Sequence, residues 1–591
     1  MMLKMPAISV TFLQRHRLNI TVILLFLALT LIFTFPLILH ISEATPFADG
    51  SGDQFQSMWL WWSFKTSLLE LNTNFLHTDF AYYPQGTSLT YHTSVFLGLL
   101  ALPFQYLAET PKSLIISHNL LMILTFVLSG FGMYLLVWRL VKHPVIAFIC
   151  GLLFAFCPYR LWHMNHLNLL STQWIPFYIL YLVESVDRKS LKSSLWAAAF
   201  FILTFLSSLT YASFLALFTL FYVAYLLIRS RKVLLNKRVI SNLSIALLMV
   251  CVLLSPLLYS LYSTRIDWAP SEEMVVRTSA NLLGYFLPVK ERSLLGSYFL
   301  PSLLNFRGIA GGEIFLGYVL LFFAVYTWIR RPPRKAKFWF FSSLAFLLLS
   351  LGQAIHVYGH SLHFKWLPYG ILRACIPVFQ VGRTPGRFSI MVTLCLIAFS
   401  SYGWARLLRQ SGAKKVDFSR VRNFFRGFLT RRGAPIVIVV LVCLEFIVFP
   451  TELIRVEIPK CYDRVRNARG DFAVIELPHT CTGPSLMCNA RMLYQTYHGK
   501  RVVNGYLSRP SHYSKDFLNR VIFEQEKTEP GKIHYGVDRE KLAANNVKFV
   551  IMHETELPWP SIRRPPWTEI QNLGCAVIEE GPATVEVIEL F

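Results

Sequence analysis

Two aspartates open the chemically informative part of this sequence, Asp49 and Asp53 in Ala48-Asp49-Gly50-Ser51-Gly52-Asp53. The Gly-Ser-Gly linker leaves the loop permissive, so both carboxylates can converge on one ligand or metal. A carboxylate placed this way can also accept a proton from an attacking hydroxyl. An ordinary polar turn is the plainer alternative. A second group is Arg160, His163, His166 and Asn168. Histidines three residues apart share a helix face and can bind a metal, a sugar or a phosphate, although histidines at such places are often structural. Arg160 breaks the local charge pattern, and such an arginine usually has an anionic partner. Arg383 and Arg387, in Val381-Gly382-Arg383-Thr384-Pro385-Gly386-Arg387-Phe388, suit bidentate phosphate contacts, with headgroup anchoring as the competing role. Glu313, opening an apolar run, reads as a helix N-terminal charge or a ligand contact. No GxxxxGK, HExxH or nucleotide fingerprint occurs, which argues against an ATP-driven pump.

The elements that must position these residues are membrane helices. Of 591 residues, 54% are hydrophobic and only 15% charged, with a mean hydropathy of +0.46; a soluble protein carries about 25% charged residues. Asn19–Ile41 is long enough to cross a bilayer. Further apolar runs follow at intervals to Ala434–Phe449, with basic clusters at Arg188–Lys192, Arg229–Arg238, Arg330–Lys337 and Arg406–Arg432. Placing these clusters in the cytoplasm gives about 11 spans, an inner N-terminus and an outer C-terminus. By this parity Val95–Tyr106 cannot cross alone and is re-entrant, interfacial or paired with a partial span in Phe55–Leu71. The tract with Trp59, Trp61 and Trp62 suits a helix at headgroup level. The net charge of +24 belongs to lipid-facing loops, so nucleic acid is not expected as a partner.

The expected fold is a polytopic α-helical membrane protein with a C-terminal extracytoplasmic α/β domain. Residues 1–18 form a cytoplasmic N-terminus, and 19–41 a first span read as a retained anchor. Residues 42–113 form an outer loop with the acidic motif and interfacial or re-entrant helices. Residues 114–450 are a multi-span domain, and 451–591 a soluble domain with strands at Phe472–Leu477, Val547–Met552 and Thr584–Leu590. Cys461, Cys481, Cys488 and Cys575 lie there and can form disulfides in an oxidising compartment.

This layout resembles the GT-C superfamily of integral membrane glycosyltransferases. The resemblance runs through Asp49–Trp62, Tyr82–Gly86, Pro158–Gln173, Val381–Phe388, Tyr494–Lys500 and Asn504–Arg509, which look like segments of bacterial members dependent on lipid phosphosugars. It implies a GT-C-like fold in the inner (plasma) membrane. It further implies inverting transfer from a polyprenyl-phosphate sugar donor to a saccharide, glycolipid or protein acceptor. Asp53 then becomes the base, with Asp49 assisting, and both become candidate ligands of a divalent cation (Mg or Mn). Arg160, Arg383 and Arg387 become phosphate contacts, and His163, His166 and Glu313 pocket residues. The DxxxD spacing departs from the DxD or DE-type pairs of many relatives. A transporter or lipid-linked saccharide flippase is the rival reading, and it would need an ionisable path in mid-membrane; Glu184 and Glu445 lie near span ends.

Overall fold

A helix crosses the roughly 30 Å hydrocarbon core of a bilayer with about 20 apolar residues, and the computed structural model contains helices of that kind bracketing the acidic segment. It describes residues 12–47, 52–92, 95–264, 270–288, 314–357, 360–411, 434–477, 485–507, 522–525, 534–537, 544–552, 567–570 and 587–589. Asp49, Glu313 and most of the Arg406–Arg432 loop lie outside the described residues.

Along the chain, α1 (Phe12–Phe33) leads to β1 (Ala44–Pro46) and α2 (Asp53–Lys65). A hairpin of α3 (Lys112–Val141) and α4 (Pro144–Ala155) is followed by two helical turns, α5 (Pro158–Trp162) and α6 (Leu167–Leu170). Next come α7 (Trp174–Arg188), α8 (Leu191–Ser207), α9 (Leu209–Arg229) and α10 (Lys237–Ser263). After α11 (Tyr318–Ile329) and α12 (Arg334–Ser350) the chain makes a β-hairpin, β2 (Ala354–Val357) and β3 (His360–His363). It continues through α13 (Pro368–Cys375), α14 (Ser389–Ser411) and α15 (Ala434–Phe446). The C-terminal region contributes β4 (Leu453–Val456), β5 (Ala473–Leu477), α16 (Ser485–His498), β6 (Arg501–Val502), β7 (Val547–Met552), β8 (Trp567–Ile570) and β9 (Val587–Glu589).

Among the described residues, six helical stretches are long and apolar enough to span: His16–Phe33, Lys112–Val141, Pro144–Trp162, Leu209–Arg229, Lys237–Ser263 and Pro385–Leu407. Shorter apolar helices occupy Leu97–Tyr106, Leu191–Ser207, Tyr318–Ile329 and Pro435–Phe446. Leu97–Tyr106 reaches only about 15 Å at helical rise and cannot cross alone, as the charge parity requires. The 11 spans expected from the sequence would further need Leu191–Ser207, Tyr318–Ile329, Pro435–Phe446, α7 and α12, all of them shorter than the six.

The α3–α4 hairpin shows how closely the bundle packs. A Cβ at Gly151 would meet the Gly130 carbonyl oxygen at 2.6 Å, and one at Gly130 would meet the Phe26 ring at 2.6 Å. Small residues here let backbones approach where hydrocarbon supplies no hydrophobic drive. Several basic helix ends are tied to neighbouring elements. Arg139 bonds Asp187 at 2.8 Å, Asn242 reaches the Lys189 carbonyl at 3.1 Å, and Arg406 donates to the Arg330 carbonyl.

The C-terminal region is stitched to the first loop. β1 pairs antiparallel with β4, and β8 lies parallel on the other edge of β4. A second sheet has the order β9-β7-β5-β6, parallel except for β9. Ala81 bridges to Val502 at its end. Cys461 is disulfide-bonded, while Cys150, Cys157, Cys251, Cys375, Cys395 and Cys443 carry free thiols.

Candidate functional site

Asp53 is the first residue of α2, preceded by Gly52 at a φ of 72°. That left-handed turn is cheap only for glycine, and it delivers Asp53 to a helix start where a negative charge is favoured. The rest of α2 faces protein rather than lipid headgroups. Phe55, Met58, Trp59 and Trp61 are fully buried, because α16 and α3 pack around the helix. The indole of Trp59 donates to Gln495 Oε1 at 2.8 Å, and Gln495 Nε2 donates to the carbonyls of Phe80 (2.6 Å) and Lys500 (2.9 Å).

Both carboxylate oxygens of Asp53 are engaged. His166 Nδ1 lies 2.8 Å from Oδ2, and Asn489 Nδ2, from α16, donates to Oδ1 at 3.3 Å. A carboxylate accepts only, so the contact places an imidazole proton on Nδ1. Asp53 and His166 are both partly exposed. They open into a cavity of about 110 Å³ lined also by Gln56, Tyr91, His92, Arg383 and Arg387.

The arginine pair is held by its own loop. Thr278 donates to the Arg383 carbonyl, and Tyr369 donates to the Gly382 carbonyl at 2.9 Å. Phe388 stacks on Phe214 with centroids 4.0 Å apart. Burial, then the neighbouring Arg387 charge, lowers the pKa of Arg383, and Asp53 opposes the shift. Two guanidiniums that repel each other while facing one carboxylate make a site short of negative charge. The same pair closes one end of a second, apolar cleft of about 70 Å³ walled by Phe214, Val378 and Phe379.

The structure thus gathers Asp53, His166, Arg383 and Arg387, and leaves two expected residues aside. Arg160 is fully buried and does not line this cavity. It donates to the carbonyls of Ala155 (2.9 Å) and Leu170 (2.7 Å) and to Thr172 Oγ1, and it lies 4.8 Å over the Phe126 ring. Carbonyl dipoles and an aromatic face take the place of the expected anion, and the arginine ties α5 to α6. His163, also buried, donates to the Tyr159 carbonyl at 2.7 Å and packs edge-on against His166. It supports its neighbour from behind. Glu313 and Asp49 lie outside the described residues. Sequence reasoning missed Asn489, Tyr91 and His92. For Asn489 a signal existed: α16 carries many polar side chains, and such a helix, if buried, must have partners.

Among the described residues no three His, Cys, Asp or Glu groups form a ligand set for the expected cation, and Asp49, its second expected ligand, lies outside them. The ionisable groups of the transporter reading are occupied. Glu445 accepts from the backbone of Tyr318 and, at 3.4 Å, of Val319, closing the start of α11. Glu184 pairs with Arg188 at 2.6 Å.

Residues 22–416 match a family model described as a domain of unknown function, DUF6311. The chain belongs to the DUF6311 family. No curated protein matches this DUF6311 chain. Among solved structures, it is similar to the archaeal oligosaccharyltransferase AglB from Archaeoglobus fulgidus in complex with an inhibitory peptide and a dolichol-phosphate. That similarity has 12% identity and a TM-score of 0.42, over 92% of this chain and 70% of that one. The apo form of the A. fulgidus enzyme matches with 11% identity and a TM-score of 0.42, over 92% and 70%. Its complex with Zn and sulfate gives 11% and 0.42, over 91% and 68%.

Proposed function

We propose that this DUF6311 protein is a membrane glycosyltransferase that moves a sugar from a polyprenyl-phosphate donor to a hydroxyl-bearing acceptor, with inversion. The observation that carries the reading is the shared cavity of Asp53, His166, Arg383 and Arg387. Asp53, held by His166 and Asn489, takes the proton of the acceptor hydroxyl as it attacks the anomeric carbon. The C–O bond to the donor phosphate breaks as the new glycosidic bond forms. Arg383 and Arg387 offset the charge on the departing phosphate, and the adjoining apolar cleft receives the first part of the lipid chain. Preorganisation supports this role, since the arginine loop is fixed by backbone hydrogen bonds. The membrane domain is read as 11 spans, with the basic clusters cytoplasmic and the C-terminal region outside. The Cys461 disulfide supports an oxidising compartment for that region.

The test is sugar release and transfer from polyprenyl-phosphate sugars by protein in lipid nanodiscs, wild type beside Asp53→Asn. Loss of roughly a hundredfold or more in turnover with folding intact is the expected result. Full turnover by Asp53→Asn would remove the aspartate from the base role. No turnover by the wild type on any donor would remove the enzyme reading.

A further inference from the structure

The connection between α12 and α14 presents large apolar side chains at the surface. Trp366 is 86% exposed, Leu362 58%, Ile371 51% and Phe364 46%. Of its two fixed cations, Arg373 turns toward protein, while Lys365 stays exposed beside His360, Ser361 and His363. Arg373 donates to Gln353 at 3.2 Å and to the Pro270 carbonyl at 2.7 Å, and Lys365 pairs with Glu272 at 3.1 Å. An exposed apolar patch of this kind marks an interaction surface.

We propose that the β2–β3 hairpin and α13 insert into the bilayer leaflet on the side of Asp53, at headgroup depth. Chain continuity commits the surface to lipid. The stretch leads from α12, which packs along α14, into the candidate span that begins at Pro385, so it lies where that span meets the leaflet. Its composition fits that depth. An exposed tryptophan beside a lysine is the pattern of interfacial anchors, and residues 354–380 include no aspartate or glutamate, which suits anionic headgroups. The surface also reaches the site. Val378 and Phe379, just after α13, wall the apolar cleft that ends at Arg383 and Arg387. Insertion places the mouth of that cleft among the lipids and the arginine pair at phosphate level. None of this depends on the transferase reading; a lipid surface is the partner whatever reaction the cavity performs.

A photoreactive side chain installed at position 362 or 366 tests it. The full chain is placed in nanodiscs of phosphatidylethanolamine and phosphatidylglycerol and irradiated, and adducts are identified by mass. Position 344, exposed on α12, serves as the lipid-facing reference, and position 469, exposed in the C-terminal region, as the water-facing one. The expected result is phospholipid adducts at 362 and 366 in yields comparable to 344 and lost at 469. Yields at both positions no higher than at 469 overturn the proposal. So do cross-links to a second copy of the protein in place of lipid, which would make the patch a dimer interface.

Discussion

Asp53 sits between two neutral or cationic donors, and its usefulness as a base rests on the geometry they impose. Asn489 is the donor that comes from far along the chain. A hydrogen bond to a charged group contributes about 1.5–3 kcal/mol, or roughly a ten- to hundredfold change in rate when it acts on the transition state. Asn489→Leu is therefore expected to lower kcat by at least about tenfold with little change in donor KM. A merely structural role would instead lower the yield of folded protein at unchanged kcat, and steady-state kinetics beside a thermal melt separates the two. For Arg383 the expectation differs in kind. Arg383→Lys keeps a charge but loses the planar fork, so donor KM rises. Arg383→Ala raises it further and also lowers kcat, measured on the same lipid donor. Arg383 and Arg387 stood out in the sequence because charged groups outside the expected cytoplasmic clusters need a reason to be there, and His166 because of its spacing from His163. Arg160 met the charge criterion and proved structural, because two carbonyls and a ring can hold a guanidinium as well as an anion can. Nothing in spacing distinguishes those two outcomes.

At the scale of elements, the joint between α2 and α16 decides whether Asp53 and Asn489 meet. Gln495 bridges Trp59, Phe80 and Lys500 through three bonds. Gln495→Leu takes the partner from the Trp59 indole N–H and the Lys500 carbonyl, while the Phe80 carbonyl still accepts from Val502 N at 2.8 Å, and is expected to cost about 2–4 kcal/mol. It should show as a lower Tm together with faster hydrogen exchange in α2. The same helix carries an acid-sensitive group. His498 is buried and stacked on Tyr462, and its Nδ1 accepts from Lys500 N at 3.1 Å. Burial, with Lys500 adding to it and Glu476 opposing, lowers its pKa from 6.5 to about 4. Between those values the unfolded chain binds the proton and the folded one does not, so stability is full above pH 6.5 and is lost as pH falls toward 4. The loss is on the order of 3 kcal/mol, and His498→Phe should flatten that part of a Tm-against-pH curve. The helical character of α16 was not read from the sequence, because its buried face is largely polar and gives little hydrophobic periodicity. The aromatic run of α2 was visible as a helix, but its environment was not. Tryptophans suit a headgroup belt and a protein core equally well, and only the partner helix some 430 residues away decides between them.

The whole molecule is one continuous arrangement around the cavity, in which the C-terminal region supplies walls and fastenings. β4 covers β1, Val502 extends from Ala81, α16 covers α2, and Thr451 Oγ1 donates to the Phe33 carbonyl at 2.9 Å at the end of the first helix. The hydropathy profile separates residues 114–450 from 451–591, since apolar runs fill the first stretch and not the second. It does not report pairings between the loop after α1 and strands that follow all the apolar helices, because such pairings carry no local periodicity. If the C-terminal region only captured an acceptor, a chain ending at Pro450 would keep a folded site and still release sugar from the donor to water. The pairings argue for a different result. Truncation strips α2 of the helix that buries Trp59 and leaves β1 with an open edge. A chain of residues 1–450 is therefore expected to insert while losing both donor hydrolysis and slow hydrogen exchange across residues 44–65. Adding back residues 451–591 as a separate, folded polypeptide should restore protection in that segment. Donor hydrolysis by the truncated chain at the wild-type rate would mean instead that Asp53 needs no support from α16.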